Sequence, residues 1–279
     1  MHPSESHPDR NLRIFGTELP CALVTGSGAP RVGRKIAEYF ASHGFRIALH
    51  ANSSTAEAQV FADQLNAETP QSAIVLKGPV QDENVIDSWT EQIQSNFGRL
   101  DVLVNSAAIW DPKPLETTTA ADWQKCFDVN SLGTALCCQK FGLMMVEQVN
   151  GGAIINIGDW AVVRPYRDFA AYFPSKGAIE SITQSMAIEL ATRNPKVRVN
   201  AVLPGPVKLA PNITEQKRQQ IISECLLRRE GSDDDVASAA MFLSFSPFIT
   251  GVCLPVDGGR TIYAGPSADP VAHPDSNPS

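Results

Sequence analysis

The sequence predicts an α/β fold in which a doubly wound parallel sheet of seven strands forms a single domain. Along the middle of the chain, short apolar runs alternate with amphipathic stretches. The runs are nearly continuous in apolar residues, which is typical of parallel strands covered on both faces. The strand–helix alternation repeats six times, and such repeats form right-handed crossovers on a layered sheet.

Seven apolar runs are the predicted strands. They cover residues 22–25, 46–50, 73–76, 102–104, 153–157, 198–202 and 252–256. The stretches between and after them have the apolar spacing of helices. These predicted helices cover residues 32–42, 56–65, 85–96, 123–146, 172–191, 215–226 and 233–242.

The two ends of the chain differ from its middle. Residues 1–18 and 264–279 are rich in Pro, Ser, Asp and His and show no periodicity. We therefore predict mobile tails at both ends. The single domain is expected to span residues 19–263.

The composition excludes several classes of protein. Of 279 residues, 43% are hydrophobic and 19% charged, which is ordinary for a globular domain. The net charge is −7 and no basic stripe is visible, so a nucleic-acid partner is not expected. No apolar run reaches the ~18 residues that span a bilayer, and the polar N-terminus is unlike a signal peptide. Six cysteines without a C-x-x-C pair predict reduced thiols in a cytoplasmic protein and no metal site.

A glycine-containing loop joins the first predicted strand to the first predicted helix. It includes Gly26, Arg31, Val32 and Gly33. Glycines let the backbone turn sharply near a pyrophosphate, and the helix N-terminus then supplies free N–H groups and a positive dipole end. A turn without a ligand is the alternative. The position as the first strand-to-helix turn of a doubly wound sheet favours a dinucleotide cofactor.

The end of the second predicted strand bears on which dinucleotide binds. An acidic residue there accepts from the ribose hydroxyls and repels a 2′-phosphate, but this chain has no acid at that place. Neutral donors stand there instead: His50, Asn52, Ser53 and Ser54. Arg31 is a cation that can meet the phosphate. We predict NADPH, with NADH as the alternative if Arg31 is only a solvated surface charge.

Tyr172 and Lys176 are four residues apart and therefore share one helix face. Pro174 is tolerated only if the helix begins close to Tyr172. A lysine charge about 4 Å from the phenol contributes about 4 kcal/mol at an effective dielectric constant near 20, which favours the phenolate and lowers the pKa of the tyrosine. Such a phenol exchanges a proton near neutral pH. The alternative is an exposed tyrosine–lysine pair without a catalytic role.

Together with other motifs in the same order, these features resemble the short-chain dehydrogenase/reductase family over about residues 20–262. The additional motifs are Asn105-Ser106-Ala107-Ala108, the helix residue Asn130, Pro204-Gly205 and Val256-Asp257-Gly258-Gly259. The resemblance implies that Tyr172 is the catalytic acid, that Asn130 holds a water in a proton relay and that Lys176 also binds the nicotinamide ribose. It further implies cofactor contacts from Asn105, Ala107, Pro204 and Gly205. It also implies a homotetramer built on the long helices 123–146 and 172–191.

One departure from that family concerns the residue thirteen positions before the tyrosine. The family usually has a serine there, which donates to a substrate carbonyl, whereas this chain has Asp159. An ionised carboxylate accepts hydrogen bonds and cannot donate them. It suits a substrate that presents N–H groups, or a proton passed to a ring nitrogen. Beside Tyr172 it also opposes the lysine charge and keeps the phenol protonated. An aspartate that only caps a turn in an inactive enzyme is the alternative.

Asp159, Arg31 and the segment 105–112 together resemble the pteridine reductases and dihydromonapterin reductases. The resemblance implies that Trp110 stacks on a pterin, which is physically reasonable for a flat heterocycle on an indole. It also implies that Arg31 reaches both the cofactor phosphates and the pterin. Arg31, Trp110, Asp159 and Tyr172 are therefore the predicted substrate-binding residues. The predicted reaction is NADPH-dependent reduction of a pterin-like C=N bond.

Two other functions stay open from the sequence. One is a short-chain reductase of a ketone or alcohol, against which Asp159 argues. The other is a non-catalytic dinucleotide sensor that binds partner proteins, against which Asn130, Tyr172 and Lys176 argue. Residues 208–229 should cover the substrate, and their polar sequence does not reveal which ring system fits.

Overall fold

A computed structural model describes residues 6–209, 212–263 and 265. Its centre is a seven-stranded, all-parallel sheet in the order β3-β2-β1-β4-β5-β6-β7. The strands are β1 Cys21–Val24, β2 Arg46–Ala51, β3 Ala73–Lys77, β4 Val102–Asn105, β5 Gly152–Ile157, β6 Val197–Pro204 and β7 Cys253–Val256. This confirms the predicted doubly wound fold, usually called the Rossmann fold, and every strand lies within two residues of its predicted bounds.

Nine α-helices are present within the described residues. They are α1 His7–Phe15, α2 Val32–Ser42, α3 Thr55–Glu68, α4 Glu83–Phe97, α5 Ala120–Cys126, α6 Gly133–Val146, α7 Tyr172–Ala191, α8 Glu215–Ser223 and α9 Asp233–Ser244. One face of the sheet packs on α2, α3 and α9 through residues such as Phe40 and Met241. The other packs on α4, α6 and α7 through Trp89, Phe141 and Leu190. Burial on both faces explains why the central strands are continuous apolar runs.

The predicted helix over residues 123–146 is divided into three parts. Between α5 and α6 the chain forms one turn of π-helix, Phe127–Leu132, in which the N–H of Gly133 bonds to the carbonyl of Asp128. Such turns occur as bulges within α-helices, frequently at functional sites. This one contains Asn130, whose side chain is fully buried. Apolar spacing does not reveal the extra residue in the turn, so the sequence predicted one continuous helix.

The prediction of a mobile tail over residues 1–18 is wrong for residues 7–15, which form α1. Ser6 caps the start of the helix, and Gly16, at φ +70°, ends it. Phe15 is only 2% exposed and meets Phe45 and Phe245 edge to face. The partners of Phe15 are distant in sequence, so composition alone indicated a tail. The predicted tail 264–279 lies outside the described residues, apart from residue 265.

Helix length and side-chain clusters in the described residues bear on partners and ligands. None of their helices is long and apolar enough to cross a membrane. They also contain no group of three His, Cys, Asp or Glu side chains placed to hold a metal ion. All six cysteines are free thiols, and five of them are buried.

Candidate active site

Asp159 and Tyr172 meet at the carboxyl end of β5. Gly158 and Asp159 follow this strand directly, and Tyr172 is the first residue of α7. The phenol O–H donates to Asp159 Oδ2 at 2.7 Å. The other carboxylate oxygen, Oδ1, accepts from the backbone N–H of Ala161 at 2.8 Å. Asp159 therefore caps the short turn that follows it and also faces the phenol, so the two interpretations of this aspartate are compatible.

The surroundings of the pair favour the protonated phenol. Burial raises the pKa of Tyr172 above its usual value, and the charge and hydrogen bond of Asp159 raise it further. Burial also raises the pKa of the Asp159 carboxyl group, opposed by the hydrogen bonds from Tyr172 and Ala161 and by the charge of Lys176. The expected lowering of the tyrosine pKa by the lysine does not prevail, because burial and the neighbouring carboxylate act in the other direction.

Lys176 follows Tyr172 by four residues on α7 and is 95% buried. Its Nζ donates to the carbonyl of Ile157 at 2.8 Å. Burial lowers the pKa of Lys176 to about 8, while the charge of Asp159 acts to raise it. An ammonium has three donors, so Lys176 has the capacity to donate to ribose hydroxyls as well, as the family resemblance implies.

Asn130 connects the loop after β4 to α7. Its Nδ2 donates to Ser175 Oγ at 2.9 Å and to the carbonyl of Ile109 at 3.1 Å, and its Oδ1 accepts from the N–H of Ile109 at 2.9 Å. Ser175 Oγ donates in turn to the carbonyl of Tyr172 at 2.6 Å. The side chain of Asn130 thus positions the start of α7 and the loop that carries Trp110. Its part in a water relay stays a prediction.

The glycine loop packs closely against the segment that follows β4. Thr25 Oγ1 accepts from the N–H groups of Ser106 and Ala107, both at 3.0 Å. Gly26 has φ +69°, and a Cβ there would lie 2.7 Å from the Cα of Ala107. A Cβ at Gly33 would lie 2.7 Å from the carbonyl oxygen of Gly26. Glycine is therefore required at both positions to bring the loop, Ala107 and the start of α2 together.

The start of α2 fits a dinucleotide phosphate. Arg31 stands at the cap position and is exposed, but no side chain caps the free N–H groups of this helix. Uncapped N–H groups at a helix N-terminus bind anions well. Asn52 and Ser53 are exposed after β2, and Ser54 is partly buried beside them. The residues predicted to hold the cofactor therefore lie at the carboxyl edge of the sheet.

His50 does not take the role that the sequence predicts for it. Its Nδ1 accepts from the N–H of Gly26 at 3.0 Å, so its Nε2 carries the proton and donates to the carbonyl of Gly78 at 2.8 Å. The ring is 2% exposed, and burial lowers the pKa of His50 to about 4. Both ring nitrogens are used within the protein, so His50 supports the glycine loop and is not available as a cofactor donor.

Asn105, Pro204 and Gly205 also contribute to the architecture of this edge. Asn105 is buried, and its Nδ2 donates to Asn156 Oδ1 at 2.9 Å, so this side chain faces into the sheet. The N–H of Gly205 donates to the carbonyl of Val256 at 2.9 Å. Side-chain contact between Asn105 Nδ2 and a cofactor is therefore not expected, which limits its predicted role to the backbone or Oδ1.

Trp110 is half-exposed and stacks on Phe169. The two rings are 4.9 Å apart and 18° from parallel, and Trp110 keeps 52% of its surface exposed. Phe169 also meets the ring of Tyr172, at 6.0 Å and 69°. One face of the indole is therefore covered by Phe169, and any bound heterocycle must use the other face.

Phe169 and Tyr166 are site residues that the sequence reasoning missed. Tyr166 packs edge-on against Phe169 at 5.2 Å and against Phe173 at 4.9 Å. The sequence contained a sign of these residues, because aromatic residues recur between Asp159 and Tyr172.

A small cavity of about 80 Å³ is lined by residues that include Tyr172, Phe169 and Cys126. A larger cavity of about 340 Å³ lies beyond β6 and β7, and Tyr172 does not line it.

Comparison with known proteins defines the class to which this fold and site belong. Residues 29–261 match a family model described as enoyl-(acyl carrier protein) reductase. The 3-oxoacyl-[acyl-carrier-protein] reductase FabG of Staphylococcus aureus is 32% identical over 244 residues, which are 85% of this chain and 96% of the relative. The short chain dehydrogenase/reductase astE of Aspergillus oryzae is 28% identical, covering 90% of this chain and 98% of the relative.

A solved structure shows the same similarity in three dimensions. A protein assigned as a short-chain alcohol dehydrogenase from Sinorhizobium meliloti 1021 superposes with a TM-score of 0.79 at 29% identity. The match covers 88% of this chain and 97% of that chain. The chain therefore belongs to the short-chain dehydrogenase/reductase family and is an oxidoreductase.

Proposed function

We propose that this protein is an NADPH-dependent reductase of a pterin-like C=N bond, with Tyr172 as the acid assisted by Asp159 and Lys176. The observation that carries the proposal is the 2.7 Å hydrogen bond from the Tyr172 phenol to the Asp159 carboxylate. At this position a carboxylate cannot donate to a substrate carbonyl oxygen. It can accept from ring N–H groups, which pterins present.

A bound nicotinamide would supply the hydride to a ring carbon, and the residues of this chain hold and transfer the proton. Tyr172 stays protonated until the transfer, because its pKa is raised by burial and by Asp159. It then gives its proton to the nitrogen next to the reduced carbon. Burial raises the pKa of the Asp159 carboxyl group as well, so the carboxylate is suited to take up a proton from solvent water and pass it to the phenolate. The buried ammonium of Lys176 stabilises the phenolate in the interval.

The preference for NADPH is supported by the residues after β2 and at the start of α2, where the adenosine of the cofactor is proposed to bind. No acidic side chain follows β2, where Asn52 and Ser53 are exposed, and Arg31 is exposed at the start of α2. A carboxylate there would repel a 2′-phosphate, and a cation attracts it. With His50 committed to Gly26 and Gly78, Arg31 is the side chain on which the preference depends.

Trp110 is the proposed stacking surface for the substrate ring. Its outer face is open and its inner face is held by Phe169. A fixed and half-exposed indole, joined to the proton donor through Phe169, suits a flat heterocycle. The arrangement would place such a ring between the indole and the nicotinamide.

Reduction of a 3-oxoacyl thioester is the second candidate. It is supported by the 32% identity to the Staphylococcus aureus 3-oxoacyl-[acyl-carrier-protein] reductase. Asp159 opposes it, because a carboxylate repels the oxygen of a carbonyl that gains negative charge during reduction. The two candidates predict opposite substrate preferences.

Steady-state NADPH oxidation distinguishes the candidates. The purified protein would be assayed with dihydrobiopterin, dihydromonapterin and dihydrofolate, and in parallel with an acetoacetyl thioester. We expect turnover with at least one pterin and little with the thioester. Folded protein that binds NADPH but reduces none of the three pterins would remove the pterin proposal.

We further propose that the protein is a cytoplasmic homotetramer. Leu143 on α6 and Ile188 on α7 are 45% and 66% exposed, and exposed apolar side chains on long helices suit a subunit interface. Light scattering after size-exclusion chromatography would give the mass of the assembly. A monomeric mass would contradict this proposal.

A further inference from the structure

Lys208 joins three segments that are far apart in the sequence. Its Nζ donates to the carbonyl of Pro30 at 2.7 Å and to Asp233 Oδ2 at 2.9 Å. Pro30 belongs to the glycine loop, Asp233 is the first residue of α9, and Lys208 itself lies just beyond the end of β6. One ammonium therefore connects the loop after β1 to the segment after β6.

Both of these segments belong to the proposed dinucleotide site. The glycine loop and the start of α2 are suited to the pyrophosphate, and Pro204-Gly205 is the pair that the family resemblance assigns to the cofactor. Both segments follow strands at the carboxyl edge of the sheet, and α2 and α9 pack side by side on one of its faces. The contact between Lys208 and Pro30 consequently joins two segments of the proposed site at this edge.

Stability does not account for this arrangement. The side chain of Lys208 is 47% exposed, and ion pairs at that exposure contribute little to folding. Lys208 also has φ +53°, a left-handed conformation that disfavours residues other than glycine. The chain accepts this strain at the position where a long cation reaches across to Pro30.

The neighbouring contacts hold the base of the segment. The N–H of Leu209 donates to Glu230 Oε1 at 2.8 Å, and Arg218 forms an ion pair with the same carboxylate. Val207 pairs with Gly231 as an isolated bridge. The backbone around Lys208 is therefore held by these contacts, and only the side chain of Lys208 extends to Pro30.

We propose that Lys208 is a clasp that fastens the segment after β6 to the glycine loop over the bound dinucleotide and so slows its release. Asp233 orients the ammonium toward Pro30. The proposal rests on the nicotinamide dinucleotide of the proposed function, but it does not depend on the substrate being a pterin. Lys208 acts here as a positioning residue and not as a group that touches the phosphates.

The test measures cofactor binding and release without turnover. Affinity for NADPH would be measured by its fluorescence on binding, and the release rate by stopped-flow displacement with excess NADP⁺. We expect Lys208→Met to raise both the dissociation constant and the release rate about tenfold, which is the scale of one charge-assisted hydrogen bond. The association rate should change little, and Asp233→Asn should act in the same direction.

Two variants serve as matched controls. Asp234→Asn removes the adjacent acid of α9, which pairs with Lys35 at 3.2 Å without touching the glycine loop. Lys217→Met removes a cation of α8 whose hydrogen bond goes to Gln220 on the same helix. Both should release NADPH at the rate of the unmodified protein. Circular dichroism would establish that all four variants are folded.

The alternatives give different results. If Lys208 binds the pyrophosphate directly, Asp233→Asn frees the ammonium and tightens binding, which would overturn the clasp. An unchanged release rate in folded Lys208→Met would also overturn it, while leaving the proposed function intact. Unmodified protein that binds neither NADPH nor NADH would overturn the cofactor proposal and the clasp together, before any variant is compared.

Discussion

At the scale of single residues, the replacement of a hydroxyl by the Asp159 carboxylate has the largest consequence for the chemistry. Asp159 accepts a hydrogen bond from the phenol of Tyr172, whereas a serine hydroxyl would donate a hydrogen bond to the substrate. Both side chains are largely buried, and burial raises the pKa of each. The pair is therefore suited to hold a proton and then deliver it to a basic nitrogen.

Asp159→Ser should change the preferred substrate from a pterin to a carbonyl compound. Pterin reduction should fall about 10²-fold or more, the scale of general acid catalysis, while reduction of an acetoacetyl thioester should rise. The measurement is kcat/KM for both substrates. The control is Ser106→Ala, since Ser106 lies partly buried at the start of the loop after β4. Ser175→Ala would be a poor control, because the hydroxyl of Ser175 accepts a hydrogen bond from Asn130. Equal losses on both substrates would contradict the assigned role.

The titration of Lys176 predicts how NADPH affinity depends on pH. Its pKa is lowered from the ordinary 10.5 to about 8 by burial, so the ammonium is present below pH 8 and is lost as the pH rises through that value. NADPH should then bind more weakly above about pH 8, because the ribose loses a charged donor. Fluorescence titration across this range is the measurement.

A variant of Asp159 checks the origin of that pH dependence. The charge of Asp159 raises the pKa of Lys176, so Asp159→Asn should move the weakening of NADPH binding to lower pH. A profile that is flat in both proteins would show that the ammonium is not needed for cofactor binding.

At the scale of secondary-structure elements, α1 is an integral part of the domain. Arg99 donates to the carbonyl of Phe15 at 2.6 Å, and Asn150 donates to the same carbonyl at 3.1 Å. Asn11 bonds to the carbonyls of Glu18 and His43, both at 3.2 Å. The end of this helix is thus held by groups from several distant segments, beside the aromatic contacts of Phe15.

Phe15→Ala should destabilise the protein by about 3–5 kcal/mol, the usual cost of truncating a buried phenylalanine. Leu12→Ala on the same helix is the control, because Leu12 is 50% exposed and its loss should cost little. Urea unfolding, followed by circular dichroism, gives both values. Similar midpoints for Phe15→Ala and the unmodified protein would mean that α1 is not docked in solution.

The π-helical turn Phe127–Leu132 shows how an element serves the site. It carries Asn130 into the interior, where the amide satisfies both polar groups of Ile109 and contacts Ser175. The loop that bears Trp110 and the helix that begins with Tyr172 are consequently joined through one amide. The spacing of apolar residues indicates a helix there but is insensitive to this local change of register.

At the scale of the whole molecule, all the proposed site residues gather at the carboxyl edge of one parallel sheet. Parallel strands place their carboxyl ends together, and open α/β sheets bind ligands at that edge. The glycine loop follows β1, Trp110 follows β4, Asp159 follows β5 and Lys208 follows β6. A ligand that bridges these loops should therefore stabilise the entire domain.

NADPH should raise the melting temperature of the protein. At a concentration one hundred times its dissociation constant it adds about 2.7 kcal/mol, which corresponds to roughly 5–10 °C for a domain of this size. Differential scanning fluorimetry measures the shift. Arg31→Ala should reduce the shift with NADPH more than the shift with NADH. An equal loss for both cofactors would contradict the assigned contact with the 2′-phosphate.

The sequence determined the features whose physical cause is local. Continuous apolar runs predicted all seven strands, four-residue spacing paired Tyr172 with Lys176 on one helix, and a thirteen-residue offset marked Asp159 as a departure from the family. Each signal lies within a short stretch of chain, so it could be detected without knowledge of the fold.

Only the tertiary structure decided the features that depend on partners distant along the chain. It committed His50 to Gly78, covered one face of Trp110 with Phe169, docked Phe15 on Phe245 and brought Lys208 to Pro30. In each case the side chain has several possible roles, and its neighbours in space select one. The order of the strands in the sheet determines which loops become neighbours. No local sequence pattern contains that order.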